Sequence, residues 1–383
     1  MNLRRVAAVA GKEWREIVRD RIVAALAFLL APTVMLVLGY GMVEDLEHVP
    51  LAIVDHDRSA ASRDYAQHVT ATRYFRYAGH AGDRDADRLL ADGVVRVVLV
   101  IPEQFGETLA EGRAAAVQAL VDGTFTRTAR TVKAYLEAIN AEVSRDLEVE
   151  HLAARLGVTR ERAETLMAPL RMEVRYLYNQ EARSLWGIGP SLVMFTLTLV
   201  TPLLTALNVV REKESGAIYN VYASTISRAE FLAGKLVPNV AVGCANGAVL
   251  WALAVVVFGV PFKGSLLFLI AATAVYVVTA AAAGLLISLL VASQQAALAI
   301  SIILTMIIAI QYSGMITPLS SLTGATWLLA RALPVSHYTT IVQGTFLKGA
   351  GLAELWTPAL AIAAHAALML AAAWLLFRKR VRA

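Results

Sequence analysis

SLWGIGPSLVMFTLTLVTPLLTALNVV, residues 184–210, contains no Asp, Glu, Lys or Arg and is followed at once by Arg211-Glu212-Lys213-Glu214. A membrane span needs about 20 mostly apolar residues to cross roughly 30 Å of hydrocarbon, and a central Arg or Lys costs about 2.5–3.5 kcal/mol to insert. Uncharged length is therefore the quantity to count outward from this stretch. Upstream it recurs from Ile22 to Val43; downstream it recurs from Leu236 to Phe262, Gly264 to Ala330 and Leu355 to Phe377. The run from Gly264 is long enough to cross twice, with a polar break at Ser293-Gln294-Gln295 and a Gly/Pro-rich end from Gly314 to Pro334. The pattern predicts an α-helical membrane protein with six transmembrane helices. Composition agrees: 57% hydrophobic and 17% charged residues leave too little polar surface for a soluble globular chain.

The formal charge of +5 sits in a few blocks rather than a patch, so no nucleic-acid partner is expected. The blocks fix the orientation. Arg4, Arg5, Lys12, Arg15, Arg19 and Arg21 precede the first span, Arg211, Lys213, Arg228 and Lys235 follow the second, and Arg378, Lys379, Arg380 and Arg382 end the chain. Six spans put all three on one side, which the positive-inside rule makes cytoplasmic, along with both termini. In residues 1–21, Leu3, Val6, Ala7, Ala10, Trp14, Ile17 and Val18 recur at helical spacing, which predicts an interfacial helix on the cytoplasmic leaflet. No clear cleavage site follows residues 22–43, so the first span is expected to stay uncleaved.

Residues 44–183 form a hydrophilic insert between the first and second spans, on the opposite side. Val49 to Asp55, Val94 to Ile101 and Val117 to Val121 read as strands, with helical stretches at residues 59–69, 83–91 and 104–112 between them. That is an α/β extracytoplasmic domain, leading through a helical hairpin broken at Gly157 back to the membrane. Asp83, Asp85 and Asp87 lack the glycine and terminal glutamate of a calcium loop, and His48, His56, His68 and His80 show no zinc spacing, so no metal is expected. Cys244 is the only cysteine, which excludes an internal disulfide.

No phosphate-binding loop occurs, because Gly234-Lys235 lacks the upstream glycine and is followed by Leu236. No catalytic motif appears either, so the chain is read as neither an enzyme nor a direct binder of ATP or another cofactor. Polar residues inside spans, Asn208, Asn239, Asn246, Gln311 and His365, are either pathway residues or interhelical hydrogen-bonding groups. No Asp, Glu, Lys or Arg lies inside the stretches counted as spans, which argues against an ion-driven carrier.

The segment after the second span reads Arg211-Glu212-Lys213-Glu214-Ser215-Gly216-Ala217-Ile218-Tyr219-Asn220-Val221-Tyr222, then Ser227-Arg228-Ala229-Glu230-Phe231-Leu232-Ala233-Gly234-Lys235. Physically it is a charged turn and a short helix at the bilayer surface. It resembles the segment that docks a separate ATPase in permease subunits of ABC-2 type exporters. Val54-Asp55-His56-Asp57-Arg58-Ser59, Ile101-Pro102-Glu103-Gln104-Phe105-Gly106, Ser313-Gly314-Met315-Ile316-Thr317-Pro318 and Leu333-Pro334-Val335-Ser336-His337-Tyr338 extend the resemblance across nearly the whole chain, in order. Ala217, Tyr219 and Ser224-Thr225 depart from the family pattern.

The resemblance implies a permease dimer, homo- or heteromeric, in the inner membrane. Residues 211–230 would couple to an ATPase subunit, with Arg211, Glu212, Lys213, Glu214, Gly216, Tyr219, Tyr222, Glu230 and Lys235 at the contact. A periplasmic adaptor is a further partner of the branch it resembles most, with membrane lipid around the bundle. The cargo would be amphipathic or lipophilic, as in drug efflux. A re-entrant segment over residues 314–345 is expected to gate the exit, with Asn208, Asn246, Gln311, Met315, Leu319, Leu322 and Tyr338 as gate or pathway residues. The rival readings are a membrane-anchored receptor or scaffold whose external domain binds a ligand, and a secondary carrier.

Overall fold

The computed structural model describes residues 1–42, 47–167, 175, 177–181, 183–219 and 224–377, with only the backbone of residues 83, 84 and 127. Tyr222 and the tail from Arg378 to Ala383 lie outside the described residues. Two compact units make up the chain, residues 1–43 with 175–383 and residues 44–174.

Helix α1, Leu3–Arg19, ends at Asp20, and the Asp20 carboxylate accepts from the N–H groups of Ile22 and Val23 to start α2, Arg21–Phe28. One aspartate thus ends one helix and caps the next. After Leu29 follows α3, Leu30–Gly41. The apolar stretch expected as a single first span is therefore a pair of helices bent by 44°. Pro32 supplies the reason, since it has no N–H for the carbonyl of Phe28 and its ring crowds that carbonyl. The adjacent Ala27 carbonyl accepts from Asn246 Nδ2 at 2.8 Å.

The second unit runs β1 (Val49–Asp55), α4 (Ala60–Thr70), β2 (Phe75–His80), α5 (Asp83–Ala91), β3 (Val97–Ile101), α6 (Phe105–Ala110) and β4 (Gln118–Val121). Its four strands lie in the order β2-β1-β3-β4, with β4 alone antiparallel to its neighbour. Alternation along β1 divides the core. Leu51 and Ile53 face Tyr65, Val69, Val132 and Leu136, while Ala52 and Val54 face Ala86 and Leu89 on the other side. Helices α7 (Thr126–Leu156) and α8 (Arg160–Met167) follow, separated at Gly157, whose φ of 61° suits glycine.

The chain then continues as α9 (Ser184–Glu214), α10 (Arg228–Ala252, prolonged by a π turn, Leu253–Val257), α11 (Leu266–Leu290) and α12 (Gln294–Gln311). The break between α11 and α12 falls at the polar Ser293, which caps α12 by accepting from the Ala296 N–H. Short pieces follow: α13 (Gly324–Arg331), α14 (Pro334–Gln343) with a π turn at Gly344–Lys348, then α15 (Leu352–Leu376). Among the described residues, five helices are long and apolar enough to cross a membrane, and a sixth span exists if the bent pair counts as one. Of these, α9 is the most enclosed, with 83% of its apolar window buried against 17% for α15. Small residues let its neighbours close in. A Cβ on Gly284 of α11 would lie 2.4 Å from the Pro202 carbonyl oxygen of α9.

Candidate functional site

Successive residues on a helix point about 100° apart, so four charges in a row at the end of α9 reach four different neighbours. Arg211 pairs with Asp20 at 2.7 Å, at the junction of α1 and α2. Glu212 turns inward to Lys12 of α1 and, at 3.0 Å, to Lys235 of α10. Lys213 donates to the carbonyls of Ser288 and Val291 at the end of α11. Glu214 accepts from the backbone and side chain of Gln294, the first residue of α12. The last two sit where the helix end they meet favours their sign: Lys213 on terminal carbonyls, Glu214 on a terminal N–H group. Four consecutive residues thereby tie α9 to α1, α10, α11 and α12.

The innermost part of this hub is an ionic cluster removed from solvent. Lys235 and Glu13 are each 1% exposed and Glu212 4%. Lys235 contacts both carboxylates, and Asn239 Nδ2 donates to the Lys235 carbonyl at 2.9 Å and lies 3.4 Å from Glu13 Oε1. Asn208 Nδ2 donates to Asn239 Oδ1 at 3.0 Å. Burial pushes the Glu13 carboxyl above the usual carboxylate range in spite of the Lys235 ammonium beside it. Burial also opposes charge on Lys12, but Glu212 and Glu16 overcome it and hold the ammonium above its ordinary value. Outside the cluster, the N–H of Val23 and then Arg211 hold Asp20 low. The oxygens of Glu13, Glu16 and Glu212 lie within 4.8 Å of one another. The Lys12 and Lys235 ammonium groups pair with these three carboxylates, Lys12 with Glu16 and Glu212 and Lys235 with Glu13 and Glu212.

Contacts from α1 continue along the start of α10. Glu230 closes a capping box with Ser227 and also accepts from the Asn2 N–H at 2.6 Å. Arg5 lies 3.8 Å from Glu230 and donates to the Thr225 carbonyl. Val6 and Val9 press on Gly234, where a Cβ would come within 2.5 Å of Val9. The face of α1 turned inward is therefore Val6, Val9, Glu13 and Ile17, while Leu3, Trp14 and Val18 stay exposed. An open cleft of about 460 Å³ runs between α1 and the end of α9, lined by Lys12, Arg15, Glu16, Arg19 and Arg211 among others.

Of the expected coupling residues, Arg211, Glu212, Lys213, Glu214, Glu230 and Lys235 are all engaged inside the chain. Gly216 holds φ +73°, and Tyr219 is 55% exposed. Sequence reasoning missed Asn2, Lys12, Glu13 and Asp20, which complete the hub. The third helix also begins at Arg228 rather than near Leu236, which places Lys235 two turns inside it. The signal was there for Lys235, a charge at the edge of an apolar run, but not for Glu13, which stands among Lys12, Arg15 and Glu16.

The expected gate residues are dispersed. Asn208 and Asn246 satisfy other helices, as above. Tyr338 is fully buried, stacked on Tyr276 at 4.0 Å with its hydroxyl 2.8 Å from Thr273. Met315 packs on the main core, Leu319 covers Gly314, Leu322 is half-buried, and Gln311 is exposed at the end of α12. Helices over residues 314–345 are short and interrupted.

The family described as ABC-2 family transporter protein matches residues 22–375. Among curated relatives, "Probable multidrug ABC transporter permease YbhS" of Escherichia coli K12 is 26% identical, covering 100% of this chain and 98% of its own. "Probable multidrug ABC transporter permease YbhR" of the same strain is 26% identical over 93% and 94% of the two chains. "Inner membrane transport permease YhhJ", also from that strain, is 24% identical over 88% and 87%. The match covers the insert and the apolar helices on either side of it, and the chain belongs to the ABC-2 transporter family.

Proposed function

We propose that this chain is the permease subunit of an ATP-driven exporter of the inner membrane. It works as a homo- or heterodimer and takes its energy from a separate ATPase subunit that binds the ATP. The observation that carries the reading is the hub at residues 211–214, because a displacement applied there reaches α1, α10, α11 and α12 together. Only a difference in ATP affinity between two states of the partner can drive such a displacement. The ATPase couples to residues 211–230, reaching the exposed Tyr219 and the neighbouring cleft, while the charges of the hub carry the motion inward.

The basic blocks place this end and both termini in the cytoplasm and residues 44–183 outside, where a periplasmic adaptor docks. The interrupted helices of residues 314–345 form the exit gate. The names of the first two relatives favour drug-like, amphipathic or lipophilic cargo.

Affinity-tagged chain taken from native membranes is expected to bring an ATPase subunit with it. Gly216→Pro forces φ from +73° to about −65°, and Glu214→Ala frees the start of α12. Both variants should insert normally yet lose most export of a lipophilic dye. Normal export by both would show the coupling assignment to be wrong.

A further inference from the structure

The hairpin formed by α14 and α15 carries a measure of depth. Pro334 to Lys348 and Leu352 to His365 each rise about 20 Å at about 1.5 Å per residue. The two legs start at the same loop, where Lys348 and Glu354 are exposed, and meet at the other end. There His365 Nε2 lies 3.0 Å from the Ala332 carbonyl, and Nδ1 lies 2.7 Å from that of Ala361. With that loop at the membrane surface and both legs along the membrane normal, the turn joining α13 to α14 lies roughly two-thirds of the way through a hydrocarbon layer of about 30 Å.

Arg331 stands at that turn. Its guanidinium lies over the Trp327 ring at 4.6 Å, and among the described residues it has no carboxylate partner. A lone arginine at such depth is costly, and in membrane proteins it faces a water-filled cavity or a counter-ion. A cavity of about 530 Å³ is present beside it, lined by Leu319, Ser320, Trp327, His337, Thr340 and Thr357 among others. His337 is already engaged with the Arg331 carbonyl at 2.9 Å, which fixes the turn. The wall therefore offers one uncompensated cation, the hydroxyl groups of Ser320 and Thr357 and an aromatic face, while the Ser336 and Thr340 hydroxyls already donate to the Ala330 and Ser336 carbonyls. Leu328 and Leu329, 63% and 50% exposed, flank it with apolar surface.

We propose that this cavity binds the anionic head of an amphipathic molecule, a carboxylate or phosphate carried on an acyl chain, with Arg331 as its counter-charge. Ser320 and Thr357 donate to the remaining oxygens, and the chain lies along Leu328 and Leu329. A guanidinium matches two oxygens of either head group in its plane. The inference needs the chain to span a membrane but not to couple to an ATPase, so it stands or falls separately from the exporter reading.

The test uses the full chain in phosphatidylcholine nanodiscs, without any ATPase, titrated with radiolabelled palmitate and, in parallel, with hexadecanol. Wild type should bind palmitate saturably and at least about tenfold more tightly than the alcohol. Arg331→Gln should remove that difference and Arg331→Lys should keep part of it. Competition by phosphatidylglycerol identifies a resident lipid as the source of the head group; competition by palmitate alone identifies a diffusible amphiphile. Both outcomes support the head-group site. Equal binding of acid and alcohol by wild type overturns it without recourse to any variant, and so does palmitate binding unchanged by Arg331→Gln.

Discussion

Lys235 is the residue on which the buried cluster turns, because it touches both Glu13 and Glu212. Removing one member of a buried ion pair leaves its partner charged and unsolvated, at a cost of about 3–5 kcal/mol. Lys235→Met should therefore lower the melting temperature in detergent markedly. Glu13→Gln should cost less, since burial already favours the neutral carboxyl there. The reverse order, measured by thermal scans of the two variants, would contradict the charge assignment. Asp57 in the insert gives a pH-dependent case. The Ser59 hydroxyl, then the N–H groups of Gly106, Phe105 and Ser59, hold its carboxyl below the usual range. It therefore binds a proton less readily folded than unfolded. Its stabilisation is complete above the unfolded value of about 3.9 and is lost as pH falls through the lower folded value. Hydrogen exchange at Gly106, corrected for intrinsic rates, should rise on acidification below about pH 4. Asp57→Asn should flatten that rise, and an unaltered profile in the variant would count against it.

At the scale of elements, α1 is held to α10 by close approach as well as charge. Gly234→Val would place methyl groups where Val9 now sits, while Val9 itself is anchored through α1 at Asn2, Lys12 and Glu13. Overpacking of this kind costs about 1–3 kcal/mol. The expected result is a loosened α1, read as faster proteolysis within residues 1–20, with recovery in the double variant Gly234→Val/Val9→Ala. Proteolysis at the wild-type rate in Gly234→Val would refute the packing argument. Such contacts explain what could and could not be read from sequence. Uncharged length located the long helices, and Ser293 marked the break between two of them, because burial and caps act locally. Edge strand β2 was invisible, since of Phe75 to His80 only Phe75 is buried and no apolar run forms. The bend at Leu29 was legible in Pro32 but masked by uniform hydropathy. The partners of Glu13, Lys235 and Asn239, lie 222 and 226 residues away, and periodicity within α1 could name its apolar stripe without naming what the other face meets.

For the whole molecule, topology is the property on which the exporter reading depends most, and Cys244 makes it measurable. As the only cysteine, half-buried in α10, it can be replaced by Ala to give a background without thiols. Single cysteines are then placed at exposed positions of each unit, Arg76 and Lys133 in the insert and Arg228 beside the hub. An insert outside the cell and a hub inside it require that a membrane-impermeant maleimide label Arg76→Cys and Lys133→Cys in spheroplasts with an intact inner membrane. Arg228→Cys should react only after that membrane is opened. Labelling of all three in intact spheroplasts, or of Arg228→Cys alone, would reverse or abolish the orientation. The ATPase could not then reach residues 211–230. The same variants measure the coupling itself. If the hub transmits motion, Arg228→Cys in opened membranes should change its labelling rate when ATP is added with the ATPase subunit present. Glu214→Ala, which disconnects α12, should leave that local change intact while export is lost. A signal that reaches the coupling segment but no longer reaches the bundle is the outcome that separates a transmission hub from a docking loop.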